Sequence, residues 1–251
     1  MAEEKNAHAG HRQRMKERLL RDGLSGFGSH EVFEILLYYA LPYRDTNELG
    51  HRLVERFGSL VGVMEAEYAD LIRVDGVTPH VATLIVLCGE MARRYAREQY
   101  AVGRLLYTTE DYGNCVLPWF IGEKTESVVL VSMDNRCRVL NTTRVFTGSV
   151  NSTQFSFRDL VQQALQDNAT QIVLAHNHPN GHACFSRADV ATTMRAIEVL
   201  APLHIRLMDH LVVSEDDYVS MAATPELAAL FQQTPRRRGV AAVADDTEPP
   251  R

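Results

Sequence analysis

Apolar and polar residues follow two different patterns along this chain, and the change falls near residue 100. Before that point, apolar residues recur at intervals of three and four, which predicts amphipathic helices with no strand between them. Suitable capping residues mark the expected helix ends. They are Gly23 after the first helix, Ser29 before the second, Asp45 or Thr46 before the third, and Gly58 after it. Two more short helices are predicted over SLVGVMEAEYADLIRV and PHVATLIVLCGEMARRY.

The connection between these last two helices is a tight turn, Asp75-Gly76-Val77-Thr78-Pro79. Two helices joined by a glycine-containing turn form a helix-hairpin-helix shape, whose backbone amides can hold a DNA phosphate. Thr78 and Pro79 stand where a Gly-x-Gly hairpin has its second glycine, which removes one amide donor. Residues 1–98 are therefore predicted to be a helical, helix-hairpin-helix-like domain. Both DNA contact and protein interaction remain open for it.

Beyond residue 98 the pattern alternates between strands and helices. After a mixed linking segment, AREQYAVGRLLYTTEDYGN, the run SVVLVSMD predicts a strand ending at a turn, with CRVLNTTRVFTGSV as its hairpin partner. An amphipathic helix (FSFRDLVQQALQDNA), a buried strand (QIVLAHNHP), a helix (SRADVATTMRAIEVLAPL) and a strand (IRLMDHLVVS) follow. This order predicts an α/β domain over residues 99–226, with a mixed sheet and flanking helices. Residues 227–251 lack periodicity and are expected to form a disordered tail.

Composition limits the classes of function. A chain of 251 residues with 45% hydrophobic and 23% charged residues is typical of a soluble globular protein. The net charge of −6 argues against a broad nucleic-acid surface. No apolar run approaches a membrane span, and the first residues are too polar for a secretory signal, so we expect a cytoplasmic protein without a membrane partner. The four cysteines lie far apart, which predicts free thiols: Cys88, Cys115, Cys137 and Cys184.

Two histidines end the buried strand of LAHNHPNGHACFSRADV. Side chains two apart on a strand share a face, so His176 and His178 are predicted to project together. Seven residues later Ser186 opens the next helix, and Asp189 lies in its first turn. Two imidazoles and one carboxylate form a three-ligand zinc site that leaves a fourth position for water. Bound Zn2+ lowers the pKa of such water to about 7.

A structural interpretation of the same residues also stands. A lone pair of histidines two apart is often coincidental, and Ser186-x-x-Asp189 has the form of a helix capping box. The two interpretations are compatible, because a capping serine can still present its hydroxyl to a site. The end of a buried strand also offers histidines no packing advantage.

The pattern His176-x-His178-x7-Ser186-x-x-Asp189 resembles the zinc-hydrolase motif of the JAMM (MPN+) metalloprotease superfamily. The surrounding AHNHPNG and the later LMDHLVV resemble its RadC-like branch, in which the position of Asn180 is more often serine. The resemblance covers roughly residues 10–225. It implies the layered, cytidine-deaminase-like JAMM fold for the second domain. It also implies that His176, His178 and Asp189 bind Zn2+ and that Ser186 donates a hydrogen bond to an oxyanion.

The same resemblance implies an upstream glutamate as general acid and base. Glu126, which opens ESVVLVSMD, is the best match; Glu123 and Glu110 are weaker candidates. An exposed charge at a strand edge is the structural alternative for Glu126. Asp209 and His210 occupy adjacent strand positions and should point to opposite faces, so one of them is a candidate to orient a ligand imidazole.

Three functions follow in order of support. The first is a zinc-dependent hydrolase of the metallopeptidase or isopeptidase type, which cleaves an amide bond in a peptide or protein of open identity. The second is a RadC-like accessory protein of DNA repair or recombination, whose helical domain contacts DNA. The third, a scaffold with a dead site, conflicts with the intact set of ligands.

Overall fold

The computed structural model describes residues 2–148, 156–179, 181–214 and 217–232. The chain divides into two compact units, Met1–Ala96 and Arg97–Arg251. The boundary expected after residue 98 lies close to this division. Most of the predicted tail, residues 227–251, falls outside the described residues. No described helix is both long and apolar enough to cross a membrane.

The first unit is helical, as predicted. Its helices are α1 (Ala2–Asp22), α2 (Ser29–Ala40), α3 (Asn47–Phe57), α4 (Leu60–Met64), α5 (Tyr68–Leu71) and α6 (Pro79–Glu98). Their core consists of fully buried apolar side chains that include Leu37, Leu53, Leu71, Val81 and Ile85.

Several predicted helix ends in this unit need correction. Gly28, not Ser29, caps α2, because the Gly28 N–H donates to the Glu31 carboxylate at 2.8 Å. The fourth predicted helix is two short helices, since Glu67 is extended (ψ 146°) and caps a new one. Thr46 and Gly58 flank α3 as expected, with Gly58 in the left-handed region (φ 82°).

A buried carboxylate links three helices of this unit. Glu34 of α2 accepts hydrogen bonds from Tyr38 Oη at 2.7 Å and Asn47 Nδ2 at 2.8 Å, and its Oε1 lies 2.9 Å from His11 Nε2. Burial favours a higher pKa for Glu34, but the hydrogen bonds from Asn47, Tyr38 and His11 outweigh it and lower the pKa. The ionised carboxylate therefore stabilises the unit.

The second unit is a mixed α/β structure. It contains α7 (Thr109–Val116), β1 (Ser127–Met133), β2 (Val139–Thr147), α8 (Phe157–Gln166), β3 (Gln171–Asn177), α9 (Arg187–Leu200), β4 (Arg206–Ser214), β5 (Asp217–Ser220) and α10 (Ala228–Phe231). The sheet order is β2-β1-β3-β4-β5. Among the described strands, only the neighbours β3 and β4 are parallel, and α9 makes the crossover between them. Helix α7 and strand β5 were not predicted from the sequence, and α10 corrects the expectation of disorder at the start of the tail, because its Phe231 is buried in the core.

Helices cover both faces of this sheet, and strand residues alternate between two cores. Val129, Val173 and Leu211 pack on the side of α7, whose buried residues include Val116. On the other side, strand residues such as Leu130 and Leu174 pack against α8 and α9, represented by Leu160, Ala196 and Leu200. This layering bears out the predicted mixed α/β architecture.

A bulge interrupts β4. The pairing of β3 with β4 shifts between Ile172 and Val173, which leaves Met208 as an extra residue in β4. A bulge of one residue reverses the face to which the following side chains point. His210 consequently pairs with Leu174 and faces the α9 side of the sheet.

Candidate metal centre

Three side chains converge where β3 ends and α9 begins. The Nε2 atoms of His176 and His178 lie 3.1 Å apart, and Asp189 Oδ1 lies 3.2 Å from His176 Nε2. Asp189 Oδ2 is 3.9 Å from His178 Nε2. The potential ligand atoms of these residues all lie within 4.8 Å of one another. The structure thus brings together the His-His-Asp group that the sequence indicated.

His178 follows the last residue of β3 but keeps the direction of the strand. Its backbone N–H donates to the Val213 carbonyl of β4 at 2.8 Å, so the ladder continues one residue further. The Ser214 hydroxyl donates to the carbonyl of Gly181 in the next turn. These bonds fix the start of the loop that carries the chain from the histidines to α9.

Ser186 and Asp189 form the predicted capping box at the start of α9. The Ser186 N–H donates to Asp189 Oδ2 at 2.7 Å, and the Asp189 N–H donates to Ser186 Oγ at 3.1 Å. The same Asp189 carboxylate faces the histidines, so capping and metal-ligand geometry occur together. Ser186 accepts in this cap and retains its own hydroxyl proton for an outside acceptor.

The group is largely enclosed. The side chains of His176 and Asp189 are 2% and 4% exposed, whereas His178 is 23% exposed. Burial opposes ionisation of Asp189, but hydrogen bonds from His176 and the Ser186 backbone outweigh it and lower the pKa of Asp189. The buried Asp189 carboxylate is therefore ionised.

The donor set fits a small divalent cation. Tetrahedral zinc with bonds of about 2.0–2.1 Å places its ligand atoms roughly 3.3 Å apart. The distances of 3.1 and 3.2 Å from His176 Nε2 to the other two groups are close to that value. Electron pairs gathered so closely repel one another unless protons or a cation lie between them. His176, His178 and Asp189 are thus the residues that could hold a metal ion.

Two buried residues lie behind His176. Its Nδ1 atom is 2.9 Å from His210 Nε2, and His210 Nδ1 is 2.6 Å from the hydroxyl of Thr193. Thr193 in turn donates to the Asp189 carbonyl at 2.7 Å. Burial lowers the pKa of His210 to about 3, so this imidazole is neutral. The sequence did not indicate Thr193.

Asp209, the neighbour of His210, has a different set of contacts. Its carboxylate accepts hydrogen bonds from the Ser220 hydroxyl at 2.6 Å and the Ala222 N–H at 3.0 Å. Burial raises the pKa of Asp209, and these hydrogen bonds oppose the rise. Of the two candidates for orienting a ligand, His210 is therefore the one that contacts His176.

Glu126 lies immediately before β1 and is half-buried. The last antiparallel pair of β1 with β3 at this end is Val128 with His176, and Glu126 and His178 each lie two residues beyond it. Residues opposite each other in such a pair share a face of the sheet. Glu126 therefore lies at the same end of the paired strands as His178, the most exposed member of the His-His-Asp group.

Asn177 anchors the segment that carries Glu126. Asn177 Oδ1 accepts the Ser127 N–H at 2.7 Å, and its Nδ2 donates to the Thr125 carbonyl at 3.1 Å. Both chain neighbours of Glu126 are thus held by one buried side chain. The sequence offered one sign of this role, an amide side chain between two histidines at the end of an apolar run.

The weaker glutamate candidates lie elsewhere. Glu123 Oε1 forms an ion pair with Arg144 Nη2 at 2.6 Å. Glu110 is exposed in α7, which packs on the face of the sheet opposite α9. His182, in the loop before α9, is exposed.

A layered α/β unit with a His-His-Asp group at a strand end defines a class of domain able to hold a single metal ion. Residues 106–227 match the family model of the RadC-like JAB domain. This match identifies a RadC-like JAB domain in the second unit and confirms the resemblance to RadC-like proteins of the JAB/MPN superfamily. The first unit lies outside the matched residues.

Proposed function

We propose that the second unit is a zinc-dependent hydrolase that cleaves an amide or isopeptide bond in a peptide or protein. The supporting observation is the convergence of His176 Nε2, His178 Nε2 and the Asp189 carboxylate. Imidazole and carboxylate ligands with an open position suit catalytic zinc. A zinc ion held there would supply a Lewis acid and a water molecule acidified to a pKa of about 7.

The unequal exposure of the ligands indicates the direction of substrate approach. The side chains of His176 and Asp189 are 2% and 4% exposed and form the enclosed part of the site, whereas the His178 side chain is 23% exposed and borders solvent. A scissile carbonyl would therefore enter on the His178 side. Two residues proposed to act there are Glu126, at the same strand end as His178, and Ser186, the exposed N-cap of α9.

Glu126 is the proposed general acid and base. It lies at the same strand end as His178 and would accept a proton from the attacking water and return it to the leaving amine. Such a proton relay needs a fixed backbone, and Asn177 holds the residues on both sides of Glu126.

Ser186 is the proposed oxyanion donor. Its oxygen accepts the Asp189 N–H, and its own proton can be donated to an oxygen of the substrate. It also lies at the N-terminus of the 14-residue helix α9, where the helix dipole stabilises developing negative charge.

The experiment combines metal analysis with a turnover assay on the full-length chain. Wild type should carry one zinc per chain and cleave peptides or isopeptide-linked substrates. Glu126→Gln should retain the zinc but lose activity by about 10²–10⁴-fold, the usual contribution of general acid–base catalysis. Glu123→Gln is the matched control, because Glu123 is paired with Arg144 and should be dispensable for turnover. Absence of zinc, or full activity of Glu126→Gln, would refute the proposal.

A DNA-associated accessory role is the second candidate, since RadC is a DNA-repair-associated family. The hairpin before α6 retains Gly76 in the left-handed region (φ 89°). The Val81 N–H, however, is bonded to Thr78 Oγ1 at 3.3 Å, and Pro79 has no N–H to donate. Salt-dependent DNA binding by the full chain would support this role, and no binding at low salt would exclude it.

A further inference from the structure

Buried hydrogen bonds link His176 to residues behind it, and the donor and acceptor in each bond can be worked out by starting from Thr193. The chain runs from His176 through His210 to Thr193 and ends on the carbonyl of Asp189. It therefore joins the side chain of one member of the His-His-Asp group to the backbone of another. Thr193 is 0% exposed and His210 is 3% exposed, so water does not compete for these groups.

Thr193 sets the direction. Its hydroxyl lies 2.7 Å from the Asp189 carbonyl and 3.2 Å from Met221 Sδ, and both of these atoms only accept hydrogen bonds. The single hydroxyl proton is committed to them. The Thr193 oxygen can then only accept from His210 Nδ1, which lies 2.6 Å away and must carry a hydrogen.

The proton on His210 Nδ1 determines the state of His176. A second proton on His210 would create an imidazolium in an enclosed position, so His210 Nε2 is the acceptor. His176 Nδ1, at 2.9 Å, must then be the donor. With its hydrogen on Nδ1, neutral His176 has its lone pair on Nε2, which is the atom that faces His178 and Asp189.

We propose that Thr193 and His210 are positioning residues that lock His176 in the Nδ1–H tautomer and so present its Nε2 lone pair to a metal ion. This inference rests on the proposed function only in that His176 is a metal ligand. Orientation of a ligand imidazole by a partner on its other nitrogen is a general feature of metal sites. Here the partner is a second imidazole, whose own tautomer is set by a helix hydroxyl.

Two local features create this arrangement. The bulge at Met208 turns His210 to the α9 face, opposite Leu174 and near His176. Thr193 lies one helical turn after Asp189, and this spacing lets its hydroxyl bond the Asp189 carbonyl. Displacement of either residue would break the chain without removing a ligand.

The first test is made on the wild-type, full-length, metal-free chain. Long-range ¹H–¹⁵N spectra of histidine-labelled protein, recorded above the ordinary histidine pKa of about 6.5, report the tautomer of each ring. We expect a hydrogen on Nδ1 of both His176 and His210 and none on Nε2 of His210. A hydrogen on Nε2 of His210, or its absence from Nδ1 of His176, would overturn the proposal.

The second test compares Thr193→Val with Thr193→Ser. Valine keeps the shape but removes the hydroxyl, whereas serine keeps the hydroxyl, so the pair separates hydrogen bonding from packing. Zn2+ affinity, measured by competition with a chromophoric chelator, should fall about 10- to 100-fold in Thr193→Val and stay near wild type in Thr193→Ser. The tautomer signals should become mixed in Thr193→Val only.

Each outcome of the two tests either supports or overturns the role of Thr193 and His210. Equal zinc affinity and unchanged tautomers in Thr193→Val would overturn the proposal, because a purely packing role changes stability but not tautomers. If Thr193→Val fails to fold, the wild-type spectra still decide. A chain that shows the expected tautomers and binds zinc but cleaves no amide would refute the hydrolase and leave this inference standing.

Discussion

Asp189 has two roles that one pair of substitutions can separate. Its Oδ2 accepts the Ser186 N–H at 2.7 Å in the cap of α9, and its charge faces His176 and His178. Asp189→Ala removes both roles. Asp189→Asn keeps an oxygen that can accept the Ser186 N–H but removes the negative charge.

The magnitudes follow from these contacts. Loss of the cap should cost Asp189→Ala about 1–2 kcal/mol of metal-free stability. For a domain of this size, such a loss lowers the Tm by roughly 2–8 °C. Asp189→Asn should lose less than about 1 kcal/mol, because the hydrogen bond persists without its charge. Zinc affinity should fall more than about 100-fold in both, since changes to residues behind a ligand already cost 10- to 100-fold.

The assay is thermal denaturation of the metal-free chain together with a zinc competition titration, both at neutral pH. The pKa of Asp189 is lowered in the folded state, so its stabilisation is complete above the unfolded pKa of about 3.9 and is lost as the pH falls through the folded pKa. Equal destabilisation by both substitutions would refute the separation of roles. Wild-type zinc affinity in either variant would show that Asp189 is not a ligand.

Two further predictions concern residues outside the His-His-Asp group. Asn177→Leu leaves the buried Ser127 N–H without its acceptor, so stability should fall by about 1–3 kcal/mol. Turnover per bound zinc should fall as well. The zinc content should stay unchanged, because Asn177 points away from the two histidines. Full turnover would show that Asn177 does not position Glu126. In the first unit, the lowered pKa of Glu34 means that its stabilisation is present above the unfolded pKa, about 4.3, and is lost as the pH falls through the folded pKa. Glu34→Gln should flatten this acid dependence of the urea midpoint, and an unchanged slope would contradict the role of the carboxylate.

The elements that the sequence predicted well are those with a strong period or a clear cap. Strand β3 contains the apolar run of residues 172–175, and Gly58 caps the end of α3 as expected. The segment that was interpreted as a linker contains α7, whose Thr108 and Asp111 form a capping box. This helix is short, and its buried residues Tyr112, Cys115 and Val116 pack in a core that distant strands complete, so the local pattern was weak. Strand β5 has four residues and is paired along β4.

The sequence by itself determined the composition of the candidate site. The two-residue period of a strand puts His176 and His178 on one face. A helix capping box needs its two side chains three residues apart, which is the spacing of Ser186 and Asp189. Both rules act within a single element, so they can be applied without a fold.

Only the tertiary structure decided how these pieces meet and what lies behind them. The parallel pairing of β3 with β4 and the crossover through α9 bring Asp189 to the histidines. The antiparallel pairing of β1 with β3 brings Glu126 to the same strand end as His178, and the bulge in β4 turns His210 towards His176. Register and bulges depend on contacts between residues distant in the chain, and no local periodicity encodes them.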